Sequence, residues 1–256
     1  NYCCKKMISL LKNHQHYGEV FFIENINLLN NEKYFIKSSS SLNGITNICT
    51  ELTGVDWYNS KVKNKIKYEI SIHRKSYIKV KYSEVKGFAS ELSKKTYLSN
   101  VRYIEKVINH YCSVWGGSGE NSMAPFHGDF SLLGNIIFID DEIPVVIDWE
   151  HFKLNAAPIG FDAMYFLFEL IWFESSQMNN NICKDSLIHL SKMLLKLKNS
   201  NCLNECFINK PLETTKIFMQ NNNIYWGSQF DKMPIMFFDK EETDFIDGTI
   251  LSHIVL

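Results

Sequence analysis

Three oxygen-bearing side chains border two apolar runs within residues 126–152, which read FHGDFSLLGNIIFIDDEIPVVIDWEHF. Asp129 follows a His-Gly pair, Asn135 directly precedes the run IIFI, and Asp148 directly follows the run VVI. If the two runs pair as a hairpin through the turn DDEIP, Asn135 and Asp148 lie side by side at its open end, and the loop brings Asp129 to the same end. Two carboxylates and an amide there predict a hard oxygen site suited to Mg²⁺.

These side chains form the set that phosphoryl transfer requires. An aspartate near an attacking hydroxyl orients it and accepts its proton, while an asparagine and a second aspartate hold magnesium on the phosphates of a nucleotide. Each residue taken alone also has a structural interpretation, because Asp and Asn are common in turns and at helix starts. Their joint order against two apolar strands favours the chemical interpretation.

The motif HGDFSLLGN, followed by VVIDWE, resembles the aminoglycoside phosphotransferase and choline kinase family, a branch of the protein-kinase-like fold. The resemblance implies an α+β, bilobal enzyme with ATP and Mg²⁺ as cofactors. Its implied substrate is a small-molecule alcohol, such as a sugar, an aminoglycoside-like compound or an amino alcohol. It implies that Asp129 is the catalytic base and that Asn135 and Asp148 hold magnesium. It also implies that His127 belongs to the catalytic residues and, with Gly128, shapes their loop.

One departure from the family's pattern lies in this loop. Kinases leave four residues between the catalytic Asp and the Asn, whereas FSLLG leaves five here. We expect the extra residue to bulge around Leu132–Leu133, with Gly134 absorbing the turn. If Asn135 is displaced instead, the alternative is a catalytically weak or inactive pseudokinase that acts as a binding or regulatory module. A protein-substrate kinase is a weaker third choice, because the usual activation-segment ending is absent after IDWE.

A lysine for the nucleotide phosphates, and a glutamate that pairs with it, are expected in the N-terminal lobe. The stretch KYFIK places Lys37 at the end of a predicted strand, and Glu51 lies in the predicted helix that follows. This is the strand-lysine and helix-glutamate order of kinases. Lys79 and Lys81, on a later strand, are the alternatives for the lysine. No glycine-rich nucleotide loop is visible, because Gly18 is the only glycine before Lys37.

The pattern of the chain changes from strands to helices shortly after residue 85. We therefore predict an N-terminal nucleotide-binding lobe over residues 1–86, a hinge near 82–87, and a C-terminal catalytic and acceptor-binding lobe over 87–256. Adenine is expected to bind the hinge, chiefly through backbone groups, at Ser83, Glu84 and Val85. Helices are predicted at residues 1–15, 43–60, 89–115, 161–176, 186–199 and 212–230, and strands at 19–24, 33–38, 65–72 and 76–85.

Acceptor specificity is expected to come from the C-terminal helices. Aromatic side chains there suit stacking on a sugar or enclosing an ammonium group, and they equally suit a hydrophobic core. Glu169, Glu174 and the acids within 241–247 are candidates to bind an amine. Asp162 resembles the family's structural acid at a helix start, where we expect it to cap the helix. The aromatic candidates are Trp149, Tyr165, Trp172, Phe173 and Trp226.

The composition argues against several other classes of protein. The chain has 256 residues, 45% of them hydrophobic, and a formal net charge of -1, so no strong field attracts nucleic acid or an anionic membrane. Its seven cysteines show no disulfide framework and indicate reduced thiols. The apolar stretch AMYFLFELIWF has eleven residues, and a membrane span needs roughly 20. We expect a cytoplasmic protein that binds a small-molecule alcohol, without nucleic-acid or membrane partners.

Overall fold

The chain forms two compact units, which we name unit 1 and unit 2. Unit 1 comprises Asn1–Lys86 and Trp149–His151, and unit 2 comprises Gly87–Asp148 and Phe152–Leu256. The nucleotide-binding and acceptor-binding roles of the two lobes stay predictions. The computed structural model describes residues 12–17, 20–27, 32–73, 77–84, 88–89, 96–116, 123–131, 135–140, 142–178, 181–222, 224 and 238–254.

Unit 1 is built around a five-stranded antiparallel sheet. Its strands are β1 (Lys12–Tyr17), β2 (Val20–Asn27), β3 (Glu32–Ser39), β4 (Tyr68–His73) and β5 (Tyr77–Ser83). They lie in the order β1-β2-β3-β5-β4. In β5, buried residues alternate with more exposed ones, the period expected of a strand with one face against a core. The buried residues are Ile78, Val80 and Tyr82.

The helix predicted over residues 1–15 is wrong in the part that the structure describes. Lys12–Tyr17 form a strand that pairs with β2, with Gln15 opposite Phe22. The sequence KNHQHY has no helical apolar period, so pairing with the neighbouring strand decides its conformation. Residues 1–11 lie outside the described part of the chain.

A helix, α1 (Leu42–Lys61), follows β3 and packs against it, where the sequence predicts a helix among the strands. It begins at Ser41, whose side-chain oxygen accepts a hydrogen bond from the Gly44 backbone N–H at 3.1 Å. Its buried side chains recur at helical spacing, so one stripe of the helix faces the core of unit 1. They include Ile48, Leu52 and Val55.

The indole of Trp149 belongs to the core of unit 1. It packs against two aromatic rings of α1, with ring centroids 5.7 Å from Trp57 and 5.1 Å from Tyr58. The residue is completely buried. Trp149 is therefore a packing residue, and the core interpretation of this aromatic candidate is the correct one.

Unit 2 is mostly helical. Its helices are α2 (Val101–Trp115), α3 (Phe161–Gln177), α4 (Lys184–Asn199), α5 (Pro211–Asn221) and α6 (Lys240–Ile254). Five short strands accompany them, namely β6 (Phe88–Ala89), β7 (Met123–Phe126), β8 (Ile136–Ile139), β9 (Ile143–Val146) and β10 (Lys153–Pro158). One sheet has the order β6-β8-β9, and the other pairs β10 with β7. Short 3-10 turns occur at Leu98–Asn100 and Glu205–Phe207.

These elements confirm the predicted fold class, α+β with a small β-rich N-terminal part and a larger, mostly helical C-terminal part. Helix α3 lies at the centre of unit 2, because each residue from 161 to 171 is buried. Within the described ranges, no helix has the length and apolar character needed to cross a membrane.

Some element borders differ from the sequence-based prediction. The helix predicted over 89–115 begins at Val101, after the 3-10 turn. The helix predicted over 212–230 ends at Asn221, although residues 225–230 lie outside the described chain. Strand β10 was not predicted, because KLNAAP lacks apolar alternation and depends on its pairing with β7.

Replacing Trp149 with alanine is expected to lower the free energy of unfolding by about 3–5 kcal/mol, because it removes a fully buried indole from contact with Trp57 and Tyr58. Trp172→Ala is the matched control, since Trp172 is only half-buried and its loss is expected to be smaller. Urea denaturation followed by circular dichroism measures both values. Equal losses would contradict a core role that is particular to Trp149.

Candidate functional site

The two apolar runs of the sequence motif form the predicted hairpin. Strands β8 and β9 pair antiparallel, with Ile136 opposite Val146. One further hydrogen bond, from Ile147 N to Asn135 O at 2.9 Å, extends this pairing beyond the strands. Asn135 and the residue that precedes Asp148 are thus held together at the open end of the hairpin.

The side chain of Asn135 is bound to Asp129. Its Nδ2 donates one hydrogen bond to the backbone oxygen of Asp129 and one to Oδ2 of the carboxylate, each at 2.8 Å. Because both partners only accept hydrogen bonds, the NH₂ group must face them, and Oδ1 of Asn135 points the other way. The five-residue spacing therefore does not separate Asn135 from Asp129. The predicted bulge falls on residues 132–134, outside the described chain, and stays a prediction.

His127 connects the HGD loop, which we define as residues 127–131, to the hairpin. Its Nδ1 accepts a hydrogen bond from the Asp129 backbone N–H at 3.2 Å, so the proton of the neutral ring lies on Nε2. That nitrogen lies 3.0 Å from the backbone oxygen of Ile147 and donates to it. Both ring nitrogens thus bind backbone groups, and the side chain is fully buried. This geometry suits a positioning role better than proton transfer to a substrate.

Asp162 holds the start of the HGD loop through two backbone N–H groups. Its Oδ2 accepts from His127 N at 2.8 Å, and its Oδ1 accepts from Gly128 N at 3.2 Å. Burial raises the pKa of this carboxyl to about 7, although the two N–H donors act in the opposite direction. The predicted capping role is wrong, because α3 begins after Gly160 and no side chain caps it. The carboxylate is oriented toward the loop instead.

Asp148 has an unusual backbone conformation for a residue with a side chain. Its φ is 63°, in the left-handed region, which costs roughly 1–2 kcal/mol for an L-residue. The preceding residue, Ile147, is fixed on both sides, because its N–H binds Asn135 and its carbonyl oxygen binds His127. Such a conformation persists where the surroundings determine it, and it is found more often at functional sites.

Helix α3 contributes two more side chains to the HGD loop. The Tyr165 hydroxyl lies 3.5 Å from Oδ1 of Asp129 and donates to it, and the Ser131 hydroxyl donates to Oε1 of Glu169 at 2.6 Å. With Asp162, these residues follow the spacing i, i+3 and i+7, which places them on one helix face. This spacing was the sequence signal that would have found them.

Two of the other acidic candidates for binding an amine, Glu174 and Asp247, have structural partners. Glu174 is buried and accepts hydrogen bonds from Tyr97 N, Cys183 N and the Ser186 hydroxyl. Asp247 accepts from the first backbone N–H groups of α5, at Leu212 and Glu213. These contacts favour packing and capping roles over substrate binding.

The aromatic candidates are divided by their burial. Tyr165 is almost completely buried, with its hydroxyl directed at Asp129. Trp172 and Phe173 are half-buried and pack edge to face, with centroids 4.8 Å apart. Trp226 lies outside the described residues. Trp172 and Phe173 are therefore the described candidates that retain exposed ring surface.

In unit 1, Lys37 and Glu51 form an ion pair. Nζ of Lys37 lies 2.9 Å from Oε2 of Glu51, and the two side chains are only 14% and 6% exposed. Lys81, an alternative for the functional lysine, instead pairs with the exposed Glu69. The predicted strand-lysine and helix-glutamate pair thus exists, and its role toward a nucleotide stays a prediction.

The predicted adenine-binding residues are only partly described. Ser83 ends β5, and its backbone N–H donates to Lys67 O at 2.9 Å. Glu84 is half-buried, and Val85 lies outside the described residues. Nothing in these positions assigns a ligand to the predicted hinge.

The oxygen groups near the hairpin end fit a magnesium ion in their chemistry. The described residues contain no cluster of three or more His, Cys, Asp or Glu side chains that would hold a metal by itself. Magnesium commonly takes one or two carboxylates together with substrate phosphates and water. Asp148 and Oδ1 of Asn135 match that smaller protein contribution.

Along the chain, these groups follow the order of a strand lysine paired with a helix glutamate, then an Asp-Asn loop, then an aspartate after the next strand. The same order occurs in protein kinases. No family model matches the chain, and no curated protein sequence matches it. Among solved structures, the chain is similar to "WaaP in complex with acyl carrier protein". The TM-score is 0.47 at 10% sequence identity, over 83% of this chain and 88% of that chain.

Asp162 predicts a pH dependence of stability with a defined sign. Its pKa is raised from 3.8 to about 7 on folding, so between these values the folded protein binds a proton that the unfolded chain has lost. The stability of the wild type relative to Asp162→Asn is therefore expected to fall as pH rises from about 4 to about 7, by up to roughly 4 kcal/mol.

Urea denaturation at a series of pH values, in magnesium-free buffer, measures this difference. Asp185→Asn is the matched control, because Asp185 also lies in the first turn of a helix but is exposed. A stability difference between wild type and Asp162→Asn that stays constant over this pH range would mean that Asp162 is ionised in the folded protein as it is in the unfolded chain.

Proposed function

We propose that the protein is a small-molecule kinase of the aminoglycoside phosphotransferase and choline kinase type. It transfers the γ-phosphate of ATP to a hydroxyl of a sugar, an aminoglycoside-like compound or an amino alcohol. The observation that carries this proposal is the hydrogen-bonded pair of Asn135 and Asp129 at the open end of the hairpin. There the Asn135 amide binds both the carboxylate and the carbonyl of Asp129, beside the strand end that leads to Asp148.

Asp129 is the proposed catalytic base. Its Oδ2 is held by Asn135, which fixes the plane of the carboxylate. Its Oδ1 has a longer contact, 3.5 Å, with the Tyr165 hydroxyl, and the residue is half-exposed. An alcohol can therefore approach this oxygen, which orients the hydroxyl and accepts its proton as the new P–O bond forms.

Asn135 Oδ1 and the Asp148 carboxylate are the proposed holders of magnesium on the nucleotide. When bound, the ion neutralises charge on the phosphates and positions the γ-phosphate. The chain's own contribution is orientation: the Asn135 amide is turned by Asp129, and Asp148 is fixed by the bonds of Ile147. His127 acts as a positioning residue, since it joins Asp129 N to Ile147 O.

Lys37 is the proposed phosphate-binding cation. An ion pair with Glu51 holds its ammonium group in one place at low exposure, which reduces the side-chain entropy lost when a phosphate oxygen binds. The backbone at Ser83, Glu84 and Val85 is the proposed adenine-binding segment.

A pseudokinase that binds without turnover is the second candidate. The extra residue between Asp129 and Asn135 favours it, because it departs from the spacing of active kinases. The two hydrogen bonds from Asn135 to Asp129 count against it, since they keep these residues together.

Asp148→Asn is expected to weaken the binding of magnesium-ATP by about 10- to 100-fold, because it removes a charged ligand worth roughly 1.5–3 kcal/mol. Calorimetric titration of ATP, with and without magnesium, measures this change. Asp140→Asn is the matched control: Asp140 also has positive φ, lies at the turn of the same hairpin and is exposed. If the two variants show the same magnesium dependence as the wild type, Asp148 does not hold the metal.

Asp129→Asn is expected to lower turnover by about 10²–10⁴, the usual contribution of a positioned acid–base group, while the affinity for magnesium-ATP stays nearly unchanged. The assay follows ADP release with a panel of sugars, aminoglycosides and amino alcohols. Asp140→Asn again serves as control and is expected to keep full turnover.

If the Asp129→Asn variant keeps most of its turnover, Asp129 is not the catalytic base. If wild type binds magnesium-ATP but no acceptor in the panel releases ADP, the result favours the pseudokinase.

A further inference from the structure

Two thiols meet in unit 2, at a place that the proposed kinase chemistry does not use. Cys112 lies in the last turn of α2, and Cys202 lies in the turn after α4. Sγ of Cys202 is 3.8 Å from the backbone oxygen of Cys112 and 3.3 Å from that of Ser200. Cys202 is fully buried, whereas Cys112 is only half-buried.

The surroundings make the two sulfurs chemically unequal. The neighbouring Cys202 thiol, Ser200 and the charge of Lys196 lower the pKa of Cys112. The pKa of Cys202 is raised, because it shares its proton with Cys112 and is buried. The carboxyl end of α2 disfavours an anion, but these contacts outweigh it. Cys112, which is less buried than Cys202, is therefore the thiol that an oxidant reaches first, and the fully buried Cys202 is the resolving thiol.

We propose that Cys112 and Cys202 form a redox pair, which closes to a disulfide when a hydroperoxide oxidises Cys112. The Cys112 thiolate attacks the terminal peroxide oxygen: an S–O bond forms, the O–O bond breaks, and the leaving oxygen departs as water or an alcohol after protonation. Cys202 then attacks the Cys112 sulfur. The S–S bond forms, the S–O bond breaks, and hydroxide leaves as water with the Cys202 proton.

The pair is linked to the turn that precedes α3. Tyr111, next to Cys112, accepts a hydrogen bond at its hydroxyl from Gly160 N at 3.1 Å. On the other side, Asn204 N donates to Ile159 O at 2.8 Å. Gly160 has a φ of 99°, and a Cβ there would lie 2.9 Å from Cys202 O, so only glycine suits this contact. Oxidation therefore acts on two segments that hold the start of α3.

Peptide mapping of the whole chain tests the proposal. The reduced protein is treated with a small excess of hydrogen peroxide, blocked with N-ethylmaleimide, digested and analysed by mass spectrometry. We expect a peptide that links Cys112 to Cys202, lighter than its two parts by the two thiol hydrogens and restored by dithiothreitol. The exposed Cys49 and Cys206 are expected to carry the maleimide.

Two variants sharpen the result. Cys206→Ser is the matched control, because Cys206 is exposed and only four residues beyond Cys202; it is expected to leave the link unchanged. Cys202→Ser is expected to abolish the link and to leave Cys112 as a sulfenic acid that dimedone traps.

The proposal is overturned if both thiols stay free under conditions that oxidise Cys206, or if Cys112 links to another cysteine. The wild-type map decides this even if a variant fails to fold. Because the readout is a covalent mass and not turnover, it is independent of whether the kinase proposal holds.

Discussion

One buried face of α3 holds four groups of the HGD loop. Asp162 accepts the backbone N–H groups of His127 and Gly128, Tyr165 donates to the Asp129 carboxylate, and Glu169 accepts the Ser131 hydroxyl. A carboxyl that is 2% exposed, like Asp162, costs several kcal/mol if its partners are lost. The loop therefore keeps its shape because alternative shapes would leave buried acids unsatisfied. The rest of the candidate site depends on this constraint.

A few hydrogen bonds connect the β8–β9 hairpin to the HGD loop. His127 connects Asp129 N to Ile147 O, and Ile147 N connects to Asn135 O. Asn135 then returns to Asp129 through its amide. These hydrogen bonds form a closed ring of contacts through His127, Ile147, Asn135 and Asp129. Within this ring, Asp129 and Asn135 orient each other. Such support keeps the Asp129 carboxylate in one orientation.

The sequence predicts the parts of this site that depend on local pattern. The apolar runs around DDEIP predict the hairpin, and the order of Lys37 and Glu51 predicts their ion pair, because strand and helix periods are visible over short windows. The link from Asp162 to His127 spans 35 residues, and a local rule, capping, competes with it. Strand β10 depends in the same way on a distant partner, β7. The hairpin and the Lys37–Glu51 ion pair are therefore predictable from local pattern, and the distant hydrogen bonds that orient the HGD loop are not.

The two bonds of Ile147 restrict how the chain around Asp148 can move. A single peptide plane can turn over by opposite rotations of the ψ before it and the φ after it, with little disturbance elsewhere. Here the N–H of Ile147 binds Asn135 at 2.9 Å and its carbonyl binds the His127 ring at 3.0 Å. A rotation of the 147–148 peptide plane would first have to break the bond to His127. The His127 ring therefore restricts rotation of this peptide plane. While the ring stays in place, Asp148 cannot change its orientation through a rotation confined to the 147–148 peptide.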